Sequence, residues 1–277
     1  SGATPTGTVS FMLDGDPIND CPDEAFTAGS ATCTLSQLNA GEYELVASYS
    51  GDSTYGPATS SPLEQTVNPA TTETELTSDQ SSPMGVGLTV TLTITVMASP
   101  NPAPGTITVL QDEEPLVDCT ALPLTDGEAE CQLASLDLGE YAFTAEYSGT
   151  ANYAPSDSDP PNRSVVKWAT TTLLPVTPAS PSAPNQTLTL TATIETDAPN
   201  PPDLGGTVEF KNGDETITGC DAVEISDNEA TCDISNPAAS SYAFTAHYSG
   251  DDNHTESSSS PQNHTVSYRI YLPLLRR

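Results

Sequence analysis

Three lines of the chain, GEYELVASYSGDSTY (41–55), GEYAFTAEYSGTANY (139–153) and SSYAFTAHYSGDDNH (240–254), superpose without a gap. In each, a tyrosine opens a run whose every second residue belongs to one face: Tyr43, Leu45, Ala47, Tyr49; Tyr141, Phe143, Ala145, Tyr147; Tyr242, Phe244, Ala246, Tyr248. A period of two is what a half-buried strand requires, because successive side chains leave opposite faces of the backbone. The lines are therefore strands with one face in a core, and the chain is built from three copies of one unit.

The rest of each copy falls into register around that strand. GTVSF (7–11), GTITV (105–109) and GTVEF (206–210) align upstream, and Asp14-Gly15 and Asn212-Gly213 carry turn chemistry within their repeats. Cysteines align too: Cys21 and Cys33, Cys119 and Cys131, Cys220 and Cys232 each stand twelve apart. The second of each pair is expected on a strand, with Ala31 and Leu35, Ala129 and Leu133, or Ala230 and Ile234 on its face. One pair per unit at fixed spacing reads as three disulfides within repeats, made in an oxidising compartment. Closing so short a loop contributes about 3 kcal/mol in the chain-entropy model. Zinc is disfavoured, since no CxxC or neighbouring His pair accompanies them.

Composition limits the function. The formal net charge is −32, and no Lys or Arg occurs before Arg163. Such a surface repels nucleic acid and anionic membranes. Alternating runs such as LTVTLTITV (88–96) argue against disorder. No run reaches the roughly 18–20 apolar residues of a membrane helix. The chain starts at Ser1 without a signal peptide, which reads as the result of a cleavage or a boundary.

The lines GTVSF and GSATCTLSQLNAGEYELVASYSGD, with their copies, resemble the bacterial immunoglobulin-like repeats strung along large secreted and cell-surface proteins. The resemblance runs to about Val266, with Pro237 and Ser240 in the third copy and Thr150 in the second departing from it at turns. It implies an all-β fold of three tandem immunoglobulin-like β-sandwiches over 1–68, 69–167 and 168–266, with 267–277 a tail. Stalks, adhesins and surface structures are the implied settings, extracellular or on the cell surface, and no catalytic residue is carried over. Tyr43, Tyr141 and Tyr242 stand where such a sandwich places its corner tyrosine, whose hydroxyl bonds nearby backbone.

The first copy is short. The second runs about 35 residues from near Ala70 to its Gly105 line, whereas the first reaches Gly7 almost at once. Its N-terminal strands are thus expected to be absent, leaving an open edge and an uncovered core face. The tail SYRIYLPLLRR (267–277) supplies the converse. Tyr268, Ile270, Leu272 and Leu274 alternate with Arg269, Tyr271, Pro273 and Leu275, and VSYRIYLPLL (266–275) aligns with the junctions VNPATTETEL (67–76) and VKWATTTLLP (166–175).

Three sandwiches in a row would span about 100 Å, with strands near 30 Å long. Eleven residues reach at most about 36–40 Å, so the donor is expected from another copy. Head-to-tail pairing is open and produces a homopolymer. Strand donation of this kind is a recognition mode of pilus assembly. Residues 1–69 hold nine acidic side chains and no basic one, while the tail carries Arg269, Arg276 and Arg277. The alternative is an adhesin stalk binding surface glycans, with the tail an anchoring or sorting signal and the first repeat merely trimmed.

Other chemistry is thin. No Gly-x-Ser-x-Gly, phosphate loop or His-Glu-x-x-His occurs, so an enzyme is not expected. His247, His254 and His264 are expected outward on strands or in loops. No cofactor is expected; calcium is the one candidate ion, at Asp14/Asp16/Asp20 or Asp251/Asp252 with Asn253, against the simpler reading of Asp side chains bonding their own turns. Asn162, Asn185, Asn253 and Asn263 head Asn-x-Ser/Thr sequons, expected in surface loops as glycosylation candidates. Trp168, at the junction of the second and third repeats, reads as a packing wedge rather than a ligand platform.

Overall fold

The computed structural model describes residues 4–99, 102–134, 136–199 and 203–268. Of the expected donor strand only Tyr268 falls among them; Arg269, Ile270, Tyr271, Leu272, Leu274 and Leu275 lie outside the described residues. The longer strands of the first repeat are β1 (Thr8–Leu13), β2 (Gly41–Tyr49) and β3 (Leu63–Val67). The second repeat has β4 (Thr72–Ser78), the short β5 (Met84–Gly85), β6 (Val90–Ala98), β7 (Thr106–Gln111), β8 (Glu128–Leu133), β9 (Gly139–Tyr147) and β10 (Asn162–Val166). In the third are β11 (Thr170–Leu173), β12 (Leu188–Thr196), β13 (Thr207–Asn212), β14 (Glu229–Ile234), β15 (Ser240–Tyr248) and β16 (Gln262–Val266).

Two compact units divide the chain, cut inside the second repeat: Ser1–Asp79, Val90–Leu133 and Tyr141–Asn162 form one, and Gln80–Thr89, Ala134–Glu140 and Arg163–Arg277 the other. In the second unit the third repeat is a complete sandwich. One sheet pairs β12 antiparallel with β11 and β14, setting Leu190 opposite Cys232. The other pairs β15 with β13 and β16, setting Val208 opposite Tyr248 and Tyr242 opposite His264. Their inner faces meet in a core that includes Leu188, Leu190, Ile194, Phe210, Phe244 and Tyr248, each at most 1% exposed. At about 1.5–3 kcal/mol per large apolar side chain fully buried, this facing of sheet on sheet is the main source of stability.

The first unit contains the corresponding sheets of the second repeat. β6 lies between β4 and β8, with Leu92 opposite Cys131 and Leu76 opposite Ile94. β7 pairs with β9, so that Ile107 faces Tyr147 and Val109 faces Ala145. Val90, Leu92 and Ile94 on one sheet, and Ile107, Val109 and Phe143 on the other, are fully buried. All three disulfides form, Cys21–Cys33, Cys119–Cys131 and Cys220–Cys232, with Cα–Cα separations of 5.6, 5.6 and 5.8 Å. Two of the glycines that open the aligned GTVSF-type lines are required by backbone contact. A Cβ on Gly206, at φ +80°, would lie 2.4 Å from the Gly250 carbonyl oxygen, and one on Gly7, at φ +108°, 2.7 Å from that of Gly51.

The first repeat, also in the first unit, has a single sheet among the described residues. β1 pairs with β2, placing Phe11 opposite Ala47 and Leu13 opposite Leu45, and β2 pairs with β3, placing Leu45 opposite Leu63. Cys33 departs from expectation here. Residues 31–39 form no strand among the described residues, although Ala31, Cys33 and Leu35 keep the alternating half-burial of their counterparts. The reason is the ladder: Cys131 and Cys232 lie on strands because β6 and β12 supply hydrogen-bond partners, and among the described residues no such partner lies beside Cys33.

Truncating Phe244 to alanine is expected to destabilise the third sandwich by about 3–5 kcal/mol, read as faster amide hydrogen exchange at Ala192 and Ile194 on the facing sheet. Val117→Ala, at a position 87% exposed, should leave exchange unchanged.

Candidate functional site

The inner face of the first repeat is open. Leu45, Ala47 and Tyr49 are half-buried, while Phe143, Ala145 and Tyr147, and Phe244, Ala246 and Tyr248, are at most 1% exposed at the same positions. Phe11 is likewise half-buried where Val109 and Phe210 are sealed. The uncovered face forms a groove of about 490 Å³ lined by Phe11, Ile18, Leu35, Leu38, Leu45 and Leu63 among others. Beside it lies a second hollow of about 470 Å³, lined by Val9, Phe26, Ala31 and Tyr49 and sharing Phe11, Ala47 and Ser60 with the first. Phe26 and Tyr49 lie with ring centroids 5.4 Å apart at its end.

Leu63 is the residue the repeat comparison should have singled out. At 61% exposure it is an apolar residue at the head of β3, where the aligned strands β10 and β16 begin with Asn162 and Gln262. The outer edges differ as well. In the second unit β5 runs parallel to β10, with Met84 opposite Val165, and Ser182 bridges Val266 of β16 in parallel. β3 has no such neighbour among the described residues.

The Ser-Gly-Asp turn of the first and third repeats is an internal clamp. Asp52 Oδ1 accepts the N–H groups of Thr54 and Tyr55, both at 2.7 Å, and Oδ2 accepts that of Thr6 at 2.7 Å. Asp251 repeats this with Asn253 and His254 on Oδ1, at 2.8 and 2.7 Å, and Gly205 on Oδ2 at 2.8 Å. These bonds hold Asp52 well below the usual carboxylate range, the Thr6 N–H contributing most. Burial pushes Asp251 upward, but the Gly205, His254 and Asn253 bonds outweigh it and hold the group at about 2. Asp14 is engaged too, its Oδ1 accepting the Glu44 N–H at 2.8 Å. Among the described residues no three His, Cys, Asp or Glu side chains come together to hold a metal.

Corner tyrosines close as the resemblance implied: Tyr43 donates to the Asn39 carbonyl and Tyr242 to that of Ala238, both at 2.9 Å. Two histidines depart from expectation. His254 is in a loop yet fully buried, its Nδ1 2.9 Å from Asp251 Oδ1. His264, on β16, is 2% exposed, its Nε2 2.8 Å from Ser182 Oγ, and burial pushes its pKa down. His247 remains outward, 2.9 Å from Ser258 Oγ through Nδ1. Of the sequons, Asn162 and Asn263 lie on strands rather than loops, both exposed, because they fall near the starts of β10 and β16, before the positions that β5 and Ser182 pair. Asn185 is an exposed loop residue, and Asn253 is half-buried, its carbonyl accepting the Trp168 N–H at 2.8 Å.

Trp168 acts within the second unit as a wedge. Its Nε1–H donates to the Val86 carbonyl at 3.0 Å, and its ring fills the space where a Cβ on Gly85 would lie, 2.1 Å from Cζ2. No helix among the described residues is long and apolar enough to cross a membrane.

A family model for the bacterial Ig-like domain (group 3) matches residues 1–68, 76–166 and 174–267. The chain belongs to this family. No curated protein matches it. Solved structures similar to this Ig-like chain include Sidekick-1 immunoglobulin domains 1–4, at 13% identity over 95% of this chain and 68% of that one, TM-score 0.29. The titin domains z1z2 in complex with telethonin match at 14% identity over 70% and 98%, TM-score 0.38. The Yersinia pseudotuberculosis adhesin InvE matches at 14% identity over 70% and 59%, TM-score 0.27. Nothing about function is carried over from them.

Two outcomes test these Ig-like repeats. Gly85→Ala should expel the Trp168 ring, and since this is the sole tryptophan the chain's emission should shift to the red. For Asp251, folded at about 2 against about 3.9 in an unfolded chain, the stabilisation is fully present above pH 4 and lost as pH falls towards 2. Asp251→Asn should flatten the acid limb of the stability profile of the third repeat, measured by denaturation at stepped pH.

Proposed function

We propose that this Ig-like chain is a structural, non-catalytic subunit of a bacterial extracellular filament or surface fibre, joined head to tail by donation of residues 267–277 into the first repeat of another copy. The observation that carries this reading is the open inner face: Phe11, Leu45, Ala47 and Tyr49 are half-buried, while their counterparts in both other repeats are sealed by a second sheet. An apolar face of that kind is unfavourable in water and is a recurrent mark of a docking surface. Tyr268, 73% exposed, begins the segment that supplies a matching apolar strand.

Charge favours the same pairing. Residues 1–69 carry nine acidic side chains and no basic one, and the tail carries three arginines, a complementarity that speeds docking and fixes polarity more than it adds affinity. Burial of Ile270, Leu272 and Leu274 contributes about 1.5–3 kcal/mol each if complete. The three disulfides fit an oxidising, extracellular setting.

Negative-stain microscopy and sedimentation of the intact chain and of a chain lacking residues 268–277 test the reading. Fibres from the intact chain and single particles from the shortened one are expected. Identical single particles from both overturn the joint, leaving residues upstream of Ser1 or another protein as the cover of the groove and an anchoring signal as the role of the tail.

A further inference from the structure

Three positions in a complete repeat could receive an added strand. One is the outer edge beside the last strand, taken by β5 and Ser182; the others are in the facing sheet, the first strand, β4 or β11, and the central place of β6 and β12. Resting on the head-to-tail reading above, we infer that the tail takes the central place, antiparallel to residues 31–35, with Leu272 opposite Cys33 and Ile270 and Leu274 flanking it on the inner face.

Pattern separates these places. The edge segment is short, two residues in β5 and a single bridging residue at Ser182, and it demands no sustained alternation. The central strand is nine residues long and alternates without a break: Val90, Leu92, Ile94 and Val96 in β6, Leu188, Leu190, Ala192 and Ile194 in β12, each at most 2% exposed. Tyr268, Ile270, Leu272 and Leu274 have that spacing. The first strand differs in kind: β4 turns Thr72 and Thr74 inward to bond Ser156, and β11 turns Thr170 and Thr172 inward to bond Ser257, whereas Ile270, Leu272 and Leu274 of the tail are all apolar.

The groove has the corresponding shape. Residues 31–35 keep their inward and outward alternation with no ladder beside them, which is the state of a strand whose partner is absent. Cys33 and Leu35 line the groove that Leu45 and Phe11 floor, the place filled in the other repeats by β6 and β12.

Register follows from the cysteines. The residue opposite the second cysteine is leucine in both complete repeats, Leu92 opposite Cys131 and Leu190 opposite Cys232. Placing Leu272 there sets Ile270 opposite Leu35, where Val90 and Leu188 face Leu133 and Ile234, and Leu274 opposite Ala31, where Ile94 and Ala192 face Ala129 and Ala230. Ser267 to Arg269 then bridge the copies, and Ser267 is still tied to its own repeat by its N–H to the Ser182 carbonyl. Pro273 is tolerated because the described first repeat has no first strand, so one edge of the inserted strand stays free.

A photo-crosslinking amino acid at position 272 of the full chain tests position and joint separately. Adducts of twice the chain mass are expected, with the linked peptide from residues 31–35 or around Phe11 and Leu45. Doubled mass linked to residues 63–67 overturns the central position but not the joint. Absence of intermolecular adducts overturns both. As an independent measurement, a peptide of residues 267–277 should bind the chain lacking 268–277, and Leu272→Asp in that peptide should weaken binding at least about tenfold. Equal binding by the two peptides overturns the register.

Discussion

A sheet with one apolar face is stable in water only when that face is covered, and every feature of this Ig-like chain depends on how each repeat meets that requirement. The second and third repeats meet it with a second sheet whose central strand, β6 or β12, hydrogen-bonds on both sides while its inward residues fill the core. Removing such a strand does two things at once. It uncovers the opposite sheet and leaves its own neighbour without a ladder. Both effects are visible in the first repeat, in the half-buried row from Leu45 to Tyr49 and in the strandless stretch around Cys33.

What keeps an uncovered repeat folded is covalent and polar. The Cys21–Cys33 bond ties residues 31–35 to the loop after β1, so the stretch holds its alternating burial without backbone pairing. At the other end, Asp52 gathers the N–H groups of Thr6, Thr54 and Tyr55, and the Tyr49 hydroxyl bonds the Thr6 carbonyl. The same clamp recurs at Asp251. In the second repeat Thr150 takes the place of the carboxylate, its hydroxyl accepting the Asn152 N–H at 3.3 Å. A groove held in shape before it is filled loses less conformational freedom on filling. That is the physical value of such staples in a repeat whose described residues form one sheet.

The repeat signature contained more of the site than its family resemblance alone suggests. Tyr-Ser-Gly-Asp encodes the clamp, because a short carboxylate at that place reaches its own turn and the strand opposite. The leucine at position 63, where the aligned positions hold Asn162 and Gln262, marks an apolar rim particular to the first repeat. Burial of His254 and His264 was not legible. A histidine in a polar loop or on an edge strand looks solvated until the Trp168 junction and Phe244 are packed against it.

Periodicity, cysteine spacing and internal alignment by themselves determined the all-β class, the three copies and the paired cysteines, because each is a local or repeated pattern that survives without coordinates. Only the tertiary structure decided that Cys33 lies off any strand, that Asn162 and Asn263 lie on strands, that the acidic turns are spent on backbone N–H groups, and that the first repeat's core positions stand open. Those outcomes depend on which strands find partners across space, and partnership between distant segments is not written in any single stretch of sequence.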